Sequence, residues 1–139
     1  MQNLSAPALF LALFFFASAS CCAADWKWYY STVSTQDKSG SALTIREFFD
    51  AGTIERTQKG SMIFWTKAVL EGDTSGGIDT IVRHIEINCN ENSYRTLKTA
   101  RFYRNKLVDE FPVTAEKWEG FTPGSSWDAF CEAILKNPD

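Results

Sequence analysis

A chain of 139 residues with a formal net charge of −3 has room for one domain. Fourteen Lys and Arg against seventeen Asp and Glu leave no basic excess, so nucleic acid is not an expected partner. Aromatics make up 14% of the chain, which points to a well-filled core for its size.

The first element is the run "APALFLALFFFASASCCAA". Its apolar part, residues 8–17, has the length of a secretory h-region and is too short to span a bilayer comfortably. No Lys or Arg precedes it, and a membrane anchor is the alternative reading. Two cleavage schemes compete. Ser18-Ala19-Ser20 before Cys21 forms a degenerate lipobox without the usual Leu, which makes Cys21 a candidate for lipidation. A cut after Ala24 instead removes residues 1–24 as a signal peptide and leaves residues 25–139 as the domain. The second scheme retains only Cys89 and Cys131, an even count suited to an oxidising compartment.

Strand signals then follow at short intervals. "DWKWYYSTVS" alternates, with Trp26, Trp28 and Tyr30 on one side; Trp26 and Trp28 are expected in the core, with an exposed anchor as the alternative. "LTIREFFD" sets Ile45 and Phe49 against Arg46 and Phe48. "TIERTQ" and "SMIFWTKAVLE" flank Lys59-Gly60 and read as a hairpin. "EGDTSGG" reads as a loop. "IDTIVRHIEINC" is the clearest strand, with Ile81, Arg83, Ile85, Ile87 and Cys89 on one face and Val82, His84, Glu86 and Asn88 on the other. "YRTLKTARFYR" and "LVDEFPV" flank Asn105-Lys106 as a second hairpin. Strands followed by one helix predict an α+β fold, an antiparallel sheet with a helix on one face.

The helix is written in "FTPGSSWDAFCEAILKNPD". Trp127, Phe130, Cys131, Ile134 and Leu135 recur at helical spacing. Ser125 and Asp128 have capping-box spacing, Lys136 complements the helix dipole, and Pro138 stops the helix. Cys89 and Cys131 thus each face a core, and in an exported chain a disulfide tying helix to sheet is the economical reading. Two separate buried thiols are the alternative.

Catalytic signals are weak. His84 stands on the strand face opposite Cys89, which disfavours a Cys–His dyad. No phosphate loop precedes a helix, and Cys89 and Cys131 lack the neighbours a metal site needs. No enzyme activity, cofactor or metal is expected. Residues 94–106 hold Arg95, Lys98, Arg101, Arg104 and Lys106 without an acid, interleaved with Tyr94, Phe102 and Tyr103. Arg95, Lys98, Arg101, Phe102 and Arg104 form the candidate ligand surface, for an anionic glycan, a phospholipid or a protein. Charges that merely blunt strand pairing would look the same.

In order and spacing, Phe49, Asp50, Ile54, Phe64, Trp65, Lys67, Cys89, Tyr94, Arg95, Trp118, Pro123, Gly124, Ser125 and Cys131 resemble the surface-adhesin protein E family of Gram-negative bacteria. The resemblance implies a curved antiparallel sheet of about six strands with a C-terminal helix cross-linked to its concave face. It further implies an exported envelope protein of the periplasm, outer membrane or cell surface, which in some members contacts host extracellular-matrix or serum proteins. The framework positions that match carry no ligand contact themselves. A periplasmic structural or accessory protein, or a small carrier of a hydrophobic ligand in the sheet–helix crevice, is the alternative function. Membrane contact enters only through a lipid on Cys21.

Overall fold

The computed structural model describes residues 23–36, 41–72, 77–112 and 117–136. Cys21, most of the leader and the middle of the "EGDTSGG" loop lie outside the described residues. The main elements are β1 (Trp26–Gln36), β2 (Ser41–Asp50), a short β3 (Glu55–Arg56), β4 (Met62–Glu71), β5 (Thr80–Asn88), β6 (Ser93–Tyr103), β7 (Lys106–Pro112), a short β8 (Glu119–Gly120) and α1 (Ser126–Lys136). The six longer strands form one curved antiparallel half-barrel in the order β1-β2-β4-β5-β6-β7. The two-residue strands β3 and β8 extend it beside β4 and β6.

Turn chemistry fixes the joints. Asp50 accepts from the backbone N–H groups of Asp25 (2.9 Å) and Gly52 (3.1 Å), which anchors the start of β1 and caps a 3-10 turn at Ala51–Thr53. Gly60 takes φ 82° in the β3–β4 turn. The β6–β7 hairpin turns on Arg104 and Asn105, both with positive φ (49° and 63°), rather than on Asn105-Lys106 as the sequence suggests. Two consecutive positive φ values give the twist of a primed hairpin turn, and Asn tolerates them well.

The core lies between the concave face and α1. Phe64, Ile85, Ile87 and Phe130 are fully buried, with Tyr29, Phe49, Met62, Trp127, Cys131 and Ile134 around them. Phe130 stacks on Phe64 at 4.2 Å and meets Phe49 and Tyr29 edge-on. The expected cap holds the helix start: the Asp128 N–H donates to Ser125 Oγ at 3.3 Å, and Asp128 accepts from the Gly124 N–H at 2.7 Å. Cys89, just past β5, is bonded to Cys131 with the Cα atoms 5.7 Å apart.

Three expectations shift. The register of β1 against β2 slips between Trp28 and Tyr30. A bulge places two successive side chains on one side, so Tyr29 enters the core and Tyr30 packs against it. Tyr30 therefore parts from Trp26 and Trp28. Those two remain on the convex face rather than in the core, Trp28 60% exposed. Leu135 is 74% exposed. It lies roughly 80° round the helix from Trp127, at the margin of the apolar stripe, where the sheet does not reach it.

Candidate binding surface

Among the described residues α1 is the only helix of the α type, and it packs on the concave face, so the convex face carries whatever the strands point away from the core. Register brings its side chains into rows across the sheet. Trp65 pairs with His84, His84 with Lys98, and Lys98 with Pro112. The Trp65 and His84 rings stack at 4.6 Å, and burial holds the imidazole below its ordinary pKa, so it is uncharged near neutrality. In the next row Trp28 pairs with Phe48 and Phe48 with Lys67. The Lys67 ammonium lies 4.5 Å from the centre of the Trp26 ring and 5.3 Å from that of Phe48, each contact worth about 0.5–1 kcal/mol at a wet surface. The outcome is a band of aromatic rings and cations over β1, β2, β4, β5 and β6.

The sequence candidates fall on both faces. β6 slips register against β5 between His84 and Ile85, opposite Leu97. That slip sets Arg95 on the convex face with Lys98 and Phe102, while Arg101 points to the concave face and Arg104 sits in the hairpin turn. These residues do not form one continuous surface. Each strand cation also has an acid from a neighbouring strand. Arg95 pairs with Glu86, Lys98 with Glu110 and Arg101 with Asp109. Arg101 holds the Asp109 carboxyl below its usual value. Arg95 also lies over the Trp118 ring at 5.1 Å, Arg101 near Phe111 and Arg104 over Tyr103. Sequence reading passed over Trp65, Lys67 and Phe48 as ligand-surface residues, although their alternation against Phe64, Thr66 and Phe49 already set them apart.

Glu86 anchors the convex face. Its carboxylate is buried, accepts from Ser61 Oγ at 2.6 Å and from Arg95 Nε at 2.7 Å, and Thr57 joins the network through Ser61 at 2.7 Å. Burial alone would raise its pKa. The Ser61 and Arg95 hydrogen bonds outweigh burial and hold it below the ordinary glutamate value. A depressed folded-state pKa stabilises above the unfolded value and loses that stabilisation as pH falls through the folded one. Glu86→Gln is therefore expected to cost about 1–3 kcal/mol at pH 7. The difference from the parent should shrink as pH drops below about 4. Urea melts of both proteins at pH 7 and pH 3.5 check it.

Two features lie on the helix side. A cleft of ≈ 350 Å³ opens beside the second half of α1, lined by Lys27, Trp28, Phe49, Ala51, Ile54, Ala133 and Ile134. Beside the first turn, burial raises the pKa of the Glu47 carboxyl, against the opposing influence of Ser126 and of the Arg83 charge. Among the described residues no group of three or more His, Cys, Asp or Glu is arranged to hold a metal ion. None of the described helices is long and apolar enough to cross a membrane.

A family model described as surface-adhesin protein E matches residues 31–134, from the second half of β1 to Ile134 in α1. No curated protein and no solved structure matches the chain.

Proposed function

The chain belongs to the surface-adhesin protein E family, and on that premise we propose that it is a non-enzymatic binding module that meets host extracellular-matrix or serum proteins through its convex face. Family membership makes it an adhesin-like, exported protein of the cell surface. The observation that carries the face assignment is the band of Trp65, His84, Lys98, Lys67 and Phe48 on the side of the sheet away from the helix. Aromatic side chains of this kind are what protein interfaces enrich, and the flanking lysines would steer an anionic partner toward them. Arg95 and Phe102 adjoin the band, and Arg101 and Arg104 lie outside it. In this reading residues 1–24 direct export of a domain spanning 25–139 into the envelope of a Gram-negative bacterium, with Asp25 as the mature end and Cys21 unlipidated.

The test is capture of the purified protein on a panel of immobilised matrix and serum proteins. Trp65→Ser and Lys98→Glu should each lower capture at least about tenfold, as loss of an interface anchor does, with little change in melting temperature. Leu135→Ser, exposed on α1, should leave capture unchanged. Equal capture by all four proteins would show that the convex band is not the contact surface.

A further inference from the structure

Asp50 is a buried acid without a cation. It closes β2, is 6% exposed, and makes no ion pair among the described residues. Its Oδ1 atom accepts from two neutral backbone N–H groups, those of Gly52 at 3.1 Å and Asp25 at 2.9 Å. A carboxylate withdrawn from water is costly unless an opposite charge meets it. Lys27 does not supply that charge. Its ammonium lies 3.0 Å from the Asp25 carboxylate, and both of those side chains are more than half exposed.

The Asp25 nitrogen is held in place from its other side too. The Asp25 carbonyl accepts from the Ala51 N–H at 2.9 Å, and Trp26 stands in register with Asp50. Ala23 and Ala24, immediately before, are exposed and belong to no strand or helix. The sheet thus takes hold of the chain directly after two small residues, the kind a signal peptidase reads at its cleavage point.

We infer, on the reading in which residues 1–24 direct export, that the Ala24–Asp25 bond is the processing site and that its cleavage creates a buried ion pair between the new α-ammonium of Asp25 and the Asp50 carboxylate. Hydrolysis by a signal peptidase adds water across the peptide bond. The new carboxylate leaves with Ala24. The amine stays on Asp25 and takes up a proton at neutral pH, its ordinary pKa being about 7.7–8.0. The nitrogen that faces Asp50 as a neutral amide then faces it as a cation, and such a charge-assisted bond is roughly twice as strong as a neutral one. No other cut has this effect. Processing before Cys21 or after Ala23 leaves the residue 25 nitrogen an amide and puts the amine at least one residue, about 3.8 Å of chain, away. The precursor is therefore less stable than the mature protein.

The full chain, exported from a Gram-negative host, provides the test. Mass spectrometry of the purified protein should find Asp25 at its N-terminus. An end at Met1 would overturn the export reading itself, and an end at any other residue, or an acylated Cys21, would overturn this cut and the pair with it. The pair has its own measurements. One Gly inserted between Ala24 and Asp25, with the cut after Ala24 kept, moves the ammonium off Asp50 without changing the net charge. It should lower the melting temperature by about 3 °C or more. In Asp50→Asn, which keeps an acceptor oxygen but no charge, the same insertion should change little. At pH 7 cyanate reacts with the unprotonated amine, and it should modify the Asp25 amine at least about tenfold more slowly than the Gly-extended one, the effect of a one-unit rise in pKa. With processing at Asp25 established, an insertion that leaves the melting temperature unchanged, or that lowers it equally in Asp50→Asn, would overturn the ion pair alone. Equal cyanate rates would do the same, and that comparison decides the matter even if Asp50→Asn folds poorly.

Discussion

Replacing Cys131 with Ser is expected to lower the stability of the oxidised protein by about 2–5 kcal/mol. The bond closes a loop with a sequence separation of 42, and the chain-entropy model assigns roughly 4 kcal/mol to a loop of that length. Domains of this size have a total stability of about 5–15 kcal/mol, so the cross-link is a large part of it. α1 has 11 residues, and an isolated helix shorter than about 12–15 residues is marginal in water. Without the bond, only packing keeps it down. Equilibrium urea unfolding, monitored by tryptophan fluorescence with and without reductant, measures the effect. The parent should shift on reduction by the same amount as the mutation, and the Cys131→Ser protein should not respond to reductant. Coincident curves for the oxidised parent and the variant would show that the bond does not stabilise the fold.

Phe130→Ala is expected to be as damaging, by about 3–5 kcal/mol. Phe130 is fully buried and meets three rings, Phe64, Phe49 and Tyr29, from β4, β2 and β1. No other helix residue joins three strands through its ring contacts. Its removal leaves a space walled by rings and by backbone the sheet cannot easily collapse, so the cavity cost adds to the lost transfer energy. Ile134→Val, which removes one methylene from the same helix face, should cost only about 0.5–1.5 kcal/mol. Thermal melts of the two variants side by side give the comparison. Similar losses for both would mean that the helix docks loosely and that Phe130 is not its keystone.

The parts of this fold that the sequence reveals are those in which one periodicity runs unbroken. β5 is the clearest: Ile81, Arg83, Ile85 and Ile87 alternate without interruption, and Cys89 continues the same side to reach Cys131. The helix cap is legible for a similar reason, since Ser125 and Asp128 act within one turn. Where a bulge intervenes, parity is lost. Nothing in "WKWYYS" marks the slip after Trp28, because no Gly or Pro stands there, and so the division of Trp28, Tyr29 and Tyr30 between two faces could not be read. The slip opposite Leu97 likewise decides that Arg95 and Lys98 share a face while Arg101 does not. The acids that pair these cations, Glu86, Glu110 and Asp109, come from adjacent strands, and a count along one segment cannot see them. The convex band is visible only once Trp65, His84 and Lys98, from three strands, are placed in one row.

The order of the strands also bears on how the molecule assembles. Apart from the two-residue β3, each long strand pairs with the one next to it along the chain, so the sheet is a meander that grows by closing short loops. The helix must instead travel back to β1, whose Tyr29 lies about a hundred residues from Phe130. The entropy of that return is the long-range step of folding, and it grows with the length of chain enclosed. A covalent tether at Cys89 converts the journey into a local search from a fixed pivot at the end of β5. The same bond that holds the finished structure thus also shortens the route to it.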